Sequence, residues 1–159
     1  MALYYFDTSA LVKYYVTEPG SIWVRQLIDE LDLVTGRRRH SIFVTEITRV
    51  EVAAGLAAIR RTGRIRRSQQ EREYRRFTSQ LAHNYVVIPL ATGDFEAAAD
   101  LTQLHPLKAY DAVQLAVALR HGQTLAGYGF SLIFVSGDNT LVTAARAEGL
   151  LTDNPFAHS

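Results

Sequence analysis

The sequence contains no cysteine among its 159 residues, which excludes disulfide bonds and thiolate metal sites. Its five histidines show no metal-ligand spacing such as His-x-x-x-His, and this argues against a zinc site. No run approaches the roughly 18 apolar residues of a membrane-spanning helix, and the N-terminus lacks the basic and apolar regions of a signal peptide. We therefore expect a cytoplasmic protein that does not insert into a membrane.

The composition is that of an ordinary globular protein, with 48% hydrophobic and 21% charged residues. A chain of this length is typical of one domain and is long enough to bury a hydrophobic core. Internal repeats, linkers and low-complexity segments are not evident. We therefore predict a single domain over residues 1–159.

Positive charge is concentrated in one part of the chain, although the net charge is only +1. Twelve arginines lie between Arg37 and Arg76, where only four glutamates oppose them, so this segment carries +8 and the rest of the chain −7. Such segregation indicates a polyanionic partner. The alternative is a solvated helical face.

Short apolar runs alternate with segments of helical periodicity along the whole chain. The runs, at residues 2–6, 42–44, 85–90, 132–135 and 150–152, are typical of strands buried on both faces in a parallel sheet. Helices are predicted over residues 9–15, 22–31, 45–61, 66–82, 92–101, 112–119 and 141–147, with a loop over 122–129. This alternation predicts an α/β fold, a three-layer α/β/α sandwich with a central parallel sheet.

Two of the predicted strands end near an aspartate that precedes a helix. Asp7 follows Phe6 directly, with Thr8 or Ser9 predicted to cap the next helix, and Asp138 follows the run 132–135 after a short turn. Because parallel strands end at the same sheet edge, where ligands bind in such folds, both aspartates are candidate site residues. Each is also explained by a simple helix-capping role.

Two further acids are expected at this edge. Asp111 stands at the head of a predominantly apolar helix, where the helix dipole favours a negative charge. Helix 45–61 offers Glu46 and Glu51, which lie on opposite edges of its apolar stripe, about 140° apart. Only one of the two can face the same site, and periodicity does not choose between them.

In chain order these motifs resemble those of PIN domains, in particular the VapC-like toxins of bacterial toxin–antitoxin pairs. The resemblance is carried by YFDTSALVK at residues 5–13, TRVEV at 48–52, AYDAVQLA at 109–116 and VSGD at 135–138. It implies a PIN-like fold, metal-dependent ribonuclease activity, homodimerisation and inhibition by a small antitoxin. It also implies an acidic quartet, which falls on Asp7, Glu51, Asp111 and Asp138.

The same resemblance leaves Glu46 as a surface or supporting acid. Gln114 stands where many relatives have histidine, and we expect this difference to alter substrate contacts without removing a metal ligand.

The chemistry of the quartet is consistent with this function. Oxygen-only ligands suit Mg²⁺ or Mn²⁺. Carboxylates about 5 Å apart repel by roughly 3 kcal/mol at an effective dielectric constant of about 20, so four in one pocket must be paired with cations or partly protonated. With one or two metal ions they would activate water for attack on a phosphodiester. Thr8 and Ser9 are supporting residues, either orienting Asp7 or contacting phosphate.

We therefore expect a Mg²⁺- or Mn²⁺-dependent endoribonuclease that acts as the toxin of a toxin–antitoxin pair. The alternatives are a non-catalytic RNA-binding or interaction module with a PIN fold, and a less specific nuclease. RNA phosphates are predicted to contact a set of arginines: Arg60, Arg61, Arg64, Arg66 and Arg67. A partner surface is predicted on the first two helices, around Tyr14, Tyr15, Trp23 and Leu27.

Overall fold

The computed structural model describes residues 1–158, and Ser159 lies outside the described residues. Within residues 1–158, five short strands form one sheet: β1 Leu3–Phe6, β2 Ser41–Thr45, β3 Val86–Ile88, β4 Leu132–Val135 and β5 Leu151–Asp153. The strand order is β3-β2-β1-β4-β5, and every neighbouring pair is parallel. All strands therefore end at one edge of the sheet, and the first strand lies at its centre.

The helices cover both faces of this sheet. They are α1 Thr8–Tyr15, α2 Ser21–Asp29, α3 Thr48–Arg61, α4 Arg67–His83, α5 Thr92–Leu104, α6 Ala109–Ala126 and α7 Asn139–Ala147, followed by a 3₁₀-helix over Pro155–His158. One hydrophobic cluster joins Phe6 to side chains of α1 to α4, and a second joins Tyr5 to α5, α6 and α7. Because successive strand residues point to opposite faces, the central strand contributes to both cores. The predicted α/β/α sandwich is confirmed.

Helix α6 is longer than predicted and ends at Ala126. The predicted loop over 122–129 is therefore wrong for residues 122–126, which belong to the helix. Gly122, at the start of the predicted loop, is a buried helical residue in the structure. A Cβ at this position would approach Leu150 Cδ2 to 3.1 Å. Glycine therefore allows α6 to pack closely against the segment before β5, which offsets its low helix propensity.

The predicted partner surface on the first two helices is not exposed as expected. Tyr14, Tyr15 and Leu27 are buried in the core, so the expectation was wrong for these three side chains. Trp23 is partly buried and stacks on His158, with ring centroids 4.2 Å apart. The apolar stripes of α1 and α2 thus form core contacts, the usual role of such stripes in a globular protein. In the described part of the chain, no helix has the length and apolar character needed to cross a membrane.

Candidate active site

Two aspartates follow neighbouring strands at the carboxyl edge of the sheet. Phe6 at the end of β1 pairs with Val135 at the end of β4, and the backbone N–H of Asp7 donates to the carbonyl of Val135 at 3.0 Å. Asp138 follows Val135 after two intervening residues and precedes α7. Because the two strands end in register, both aspartates lie at the carboxyl edge of the sheet, next to its central strand.

Asp7 is buried, with 4% of its surface exposed, and it caps α1. Its Oδ1 accepts a hydrogen bond from the backbone N–H of Ala10 at 3.0 Å, and the Ser9 hydroxyl lies 2.9 Å from the same oxygen. The prediction that Thr8 or Ser9 caps this helix is therefore wrong. Burial raises the pKa of Asp7 to about 7, against the opposing effect of the hydrogen bonds.

Ser9 links Asp7 to the turn that follows β4. Its hydroxyl oxygen accepts from the backbone N–H of Gly137 at 2.8 Å while the hydroxyl proton is donated to the Asp7 carboxylate. The Ser136 hydroxyl in turn accepts from the N–H of Asp138 at 3.0 Å. A Cβ on Gly137 would lie 3.3 Å from Ser9 Oγ, so a larger residue would crowd this junction. Two serines thus fix the spacing of the two aspartates.

Glu51 lies in the first turn of α3 and is held by two side chains. Thr8 Oγ1 donates to Glu51 Oε1 at 3.2 Å, and Gln114 Nε2 donates to the same oxygen at 2.6 Å. Partial burial raises the pKa of Glu51, and these two hydrogen bonds oppose that rise. Glu51 Oε2 has no hydrogen-bond partner within residues 1–158.

Glu46 does not line the same cleft as Glu51. Because β2 continues to Thr45 and α3 begins at Thr48, Glu46 lies before the helix. The prediction that the two glutamates occupy opposite edges of one helix is therefore wrong. Glu46 is exposed, and its Oε2 lies 3.4 Å from the backbone N–H of Leu90.

The remaining acids, Asp111 and Asp138, lie at the N-termini of two other helices. Asp111 is in the first turn of α6 and is half-buried; burial raises its pKa, and the charge of Asp138 raises it further. Asp138 is exposed and caps α7, its Oδ1 accepting from the N–H groups of Thr140 at 2.7 Å and Leu141 at 3.1 Å. Both carboxylates thus sit where helix dipoles favour negative charge.

All four acids line one cleft of about 620 Å³. Their charges act on one another in sequence, from Asp138 to Asp111, from Asp111 to Glu51 and from Glu51 to Asp7. Within residues 1–158, none of the four forms an ion pair with a basic side chain. With the side chains in these positions, no three His, Cys, Asp or Glu residues among residues 1–158 are close enough together to hold one metal ion.

The cleft is also lined by a buried cation. Lys13 is 2% exposed, and its Nζ lies 3.1 Å from Glu18 Oε1 and 3.9 Å from the centroid of the Phe156 ring. Arg64 reaches the other oxygen of Glu18 at 3.5 Å. The cleft is therefore lined by both acidic and basic side chains, and Tyr110 lines it beside Asp111.

The predicted RNA-binding arginines lie around the end of α3 and the start of α4. Arg60, Arg61 and Arg66 are exposed and have no acidic partner among the described residues. Arg67 is exposed and pairs with Glu71 at 2.9 Å. Arg60 and Arg61 directly follow Ile59, which lines the cleft. Their contact with RNA stays a prediction.

Two residues of the site, Lys13 and Ser136, were not assigned a role from the sequence, and Gln114 was expected to act on substrate contacts. Gln114 is 1% exposed and donates a hydrogen bond to Glu51. Its buried position therefore does not support the expected effect on substrate contacts. The available signal was a single polar residue within the apolar stretch 112–119. Lys13 and Ser136 carried no comparable signal, because a lysine or serine in a short motif usually faces solvent.

Comparison with known proteins gives the same family as the motifs. Residues 4–144 match the PIN domain family. Ribonuclease VapC45 and ribonuclease VapC49, from Mycobacterium tuberculosis strains CDC 1551 / Oshkosh and ATCC 25618 / H37Rv, are each 33% identical to this chain over 149 residues. Each alignment covers 94% of this chain and 93% of the relative. The chain belongs to the PIN domain family.

The fold is also found among solved structures. The crystal structure of VapBC2 from Rickettsia felis, bound to a DNA fragment from their promoter, contains a chain that superposes with a TM-score of 0.61. The match covers 96% of this chain and 98% of that one at 12% sequence identity. At this identity the likeness concerns the fold alone.

Proposed function

We propose that this protein is an endoribonuclease that depends on Mg²⁺ or Mn²⁺ and acts as the toxin of a toxin–antitoxin pair. The observation that carries the proposal is the convergence of Asp7, Glu51, Asp111 and Asp138 on one cleft, where none of them forms an ion pair with a basic side chain of the described residues. Uncompensated carboxylates of this kind are costly unless a cation binds them. The ribonuclease names of two relatives at 33% identity support the same activity.

The donor set fits the proposed ion by its chemistry. Four carboxylates supply only hard oxygen ligands, which Mg²⁺ and Mn²⁺ prefer, and among the described residues no cysteine or histidine lines the cleft. When bound, the ion supplies an activated water and neutralises charge on the phosphodiester. Asp7, Glu51, Asp111 and Asp138 would hold it, and Ser9 and Thr8 would keep Asp7 and Glu51 in place.

The rest of the cleft is suited to a polyanionic substrate. Lys13 in the cleft is neutralised by Glu18, which Arg64 also contacts, so the arginine-rich segment meets the cleft at this glutamate. We infer that RNA runs from the acids towards the arginines around Arg60 and Arg61. A small cognate antitoxin, a homodimer and a cytoplasmic location are parts of the same proposal, supported by the resemblance to VapC-like toxins.

The proposal is tested by replacing the two glutamates separately. Glu51→Gln is expected to reduce RNA cleavage in Mn²⁺ by about a hundredfold or more, because a charged ligand is lost. Glu46→Gln, a matched change at an exposed carboxylate outside the cleft, is expected to stay within about threefold of wild type. Cleavage is followed on gels with purified protein, and EDTA should stop it.

Two outcomes would contradict the proposal. Equal loss in both variants, or loss only in Glu46→Gln, would remove Glu51 from the site. Failure of the wild type to cleave any RNA with Mg²⁺ or Mn²⁺, while it still binds RNA, would favour a non-catalytic RNA-binding module.

A second test concerns the arginines. The double variant Arg60→Gln/Arg61→Gln is expected to weaken RNA binding and to reduce the slope of log K against log salt by about 1.4 to 1.8, since each lost phosphate contact removes roughly 0.7 to 0.9. Binding is measured in EDTA over a range of salt concentrations, so that cleavage does not interfere.

The matched control is Arg37→Gln/Arg39→Gln, which removes the same charge. These residues precede β2 and therefore lie towards the amino edge of the sheet, opposite the cleft. If both double variants change the slope equally, the effect is one of overall charge and the proposed RNA path is wrong.

A further inference from the structure

Gln114 is a buried polar residue in the apolar part of α6. It is 1% exposed, and its neighbours Val113 and Leu115 belong to the hydrophobic cluster that packs on the sheet. A buried amide is costly unless its donors and acceptor are all satisfied. The hydrogen bonds of Gln114 therefore show what holds it in the core.

The amide is bonded on both sides. Its Oε1 accepts from the hydroxyl of Tyr5 at 2.6 Å, and its Nε2 donates to Glu51 Oε1 at 2.6 Å. Thr48 Oγ1 and Thr8 Oγ1 lie 3.2 Å and 3.4 Å from the same nitrogen. Tyr5 is itself fixed, since it is fully buried and its ring stacks on Phe134 with centroids 5.6 Å apart.

The orientation of the amide follows from these partners. If the amide were reversed, its carbonyl oxygen would face the carboxylate of Glu51, and two acceptors would repel at this distance. With the amide as placed, Tyr5 donates, Gln114 relays and Glu51 accepts. The chain of hydrogen bonds runs from the fully buried core of the sheet to the edge of the cleft.

We propose that Gln114 is a positioning residue that fixes Oε1 of Glu51 through a neutral hydrogen bond and leaves Oε2 to bind the divalent ion. This inference rests on the proposed function. It is supported by the two oxygens of Glu51: Oε1 takes both side-chain hydrogen bonds, and Oε2 takes none within residues 1–158.

A neutral donor is suited to this task for an electrostatic reason. Lysine or arginine at the same position would orient Glu51 but would cancel its charge and repel a cation. Glutamine orients the carboxylate and leaves its full negative charge. In metal sites, hydrogen-bond partners of the ligands typically change metal affinity or activity by 10- to 100-fold when they are removed.

The experiment measures Mn²⁺ binding by isothermal titration calorimetry for wild type, Gln114→Met and Tyr5→Phe. Methionine matches the length of glutamine and fills the same space without a donor. Gln114→Met is expected to raise the Kd for Mn²⁺ by 10- to 100-fold and to lower kcat for RNA cleavage, with KM within about twofold of wild type. Tyr5→Phe, which releases only the far end of the amide, is expected to raise the Kd by about threefold or more.

The matched control is Gln80→Met. Gln80 accepts from the hydroxyl of Tyr15 at 2.7 Å on the other face of the sheet, and within residues 1–158 its side chain forms no hydrogen bond with any of the four acids. It should leave Mn²⁺ affinity unchanged even where the melting temperature falls.

The outcomes separate the two proposals. A wild type that binds no Mn²⁺ overturns the proposed function itself. A wild type that binds and cleaves, with Kd values for Gln114→Met and Tyr5→Phe within about twofold of it, overturns the positioning role alone. If Gln114→Met does not fold, Tyr5→Phe decides by the same criterion, because it keeps the ring and the amide.

Discussion

Replacing Asp7 with asparagine is expected to reduce RNA cleavage by roughly a thousandfold, which corresponds to about 4 kcal/mol of lost transition-state stabilisation. Asp7 is the most buried of the four acids and follows the central strand, so its loss removes a fixed negative charge from the base of the cleft. Asparagine is nearly isosteric and keeps an oxygen that can accept from the N–H of Ala10, so α1 retains its cap. The measurement is the rate of RNA cleavage in Mn²⁺.

The control for this prediction is Asp100→Asn, an exposed aspartate on α5, which should cleave at the wild-type rate. RNA binding by Asp7→Asn in EDTA should also match wild type, since the arginines are untouched. Cleavage by Asp7→Asn within tenfold of wild type would mean that Asp7 is only a helix cap.

Asp7→Asn is also expected to change how the stability of the protein depends on pH. The variant should lose activity, but without metal it should be more stable than wild type at high pH. The pKa of Asp7 is about 7 in the folded protein and 3.8 ordinarily, so the native state holds this proton more tightly than the unfolded state. The resulting stability is fully present below about pH 4 and is lost as pH rises through about 7. This gap corresponds to roughly 4 kcal/mol of unfolding free energy by pH 8.

In EDTA, wild type is therefore expected to lose several degrees more in melting temperature between pH 5 and pH 8 than Asp7→Asn, which has no charge to bury. At pH 8 the variant should be the more stable protein. Mn²⁺ at 100 times its Kd should narrow this difference, because it stabilises the native state of the wild type by about 2.7 kcal/mol whereas the variant has lost a ligand.

The measurement is a series of melting curves at pH 5, 6, 7 and 8, with EDTA and with Mn²⁺. Parallel curves for the two proteins in EDTA would show that Asp7 is already ionised well below pH 7. No gain from Mn²⁺ in wild type would argue against the ion.

The pattern of the four acids is the reason why we expect one substitution to act on both activity and stability. Asp7, Glu51 and Asp111 all have pKa values that are raised chiefly by burial, and each feels the charge of a neighbour. Burial of this kind opposes folding at neutral pH. Its presence at a strand edge, in a cleft, is typical of a site selected for function more than for stability.

The fold was predictable because its signals are local. Five apolar runs without polar alternation gave the parallel strands, and their order in the chain with intervening helices gave the three layers. The errors occurred where tertiary packing outweighed a local preference. Gly122 lies inside α6 because Leu150 packs against it, and Glu46 lies outside α3 because β2 extends to Thr45.

By itself the sequence determined that Asp7 and Asp138 lie at one edge of a parallel sheet, because each follows a buried strand and parallel strands end at the same edge. The resemblance to PIN domains added Glu51 and Asp111. Only the tertiary structure decided how these acids are held: Gln114 bonds a glutamate 63 residues away and a tyrosine 109 residues away. Such contacts depend on how the helices pack across the sheet. Periodicity along the chain indicates which face of a helix is buried, but it does not indicate which side chains that face contacts.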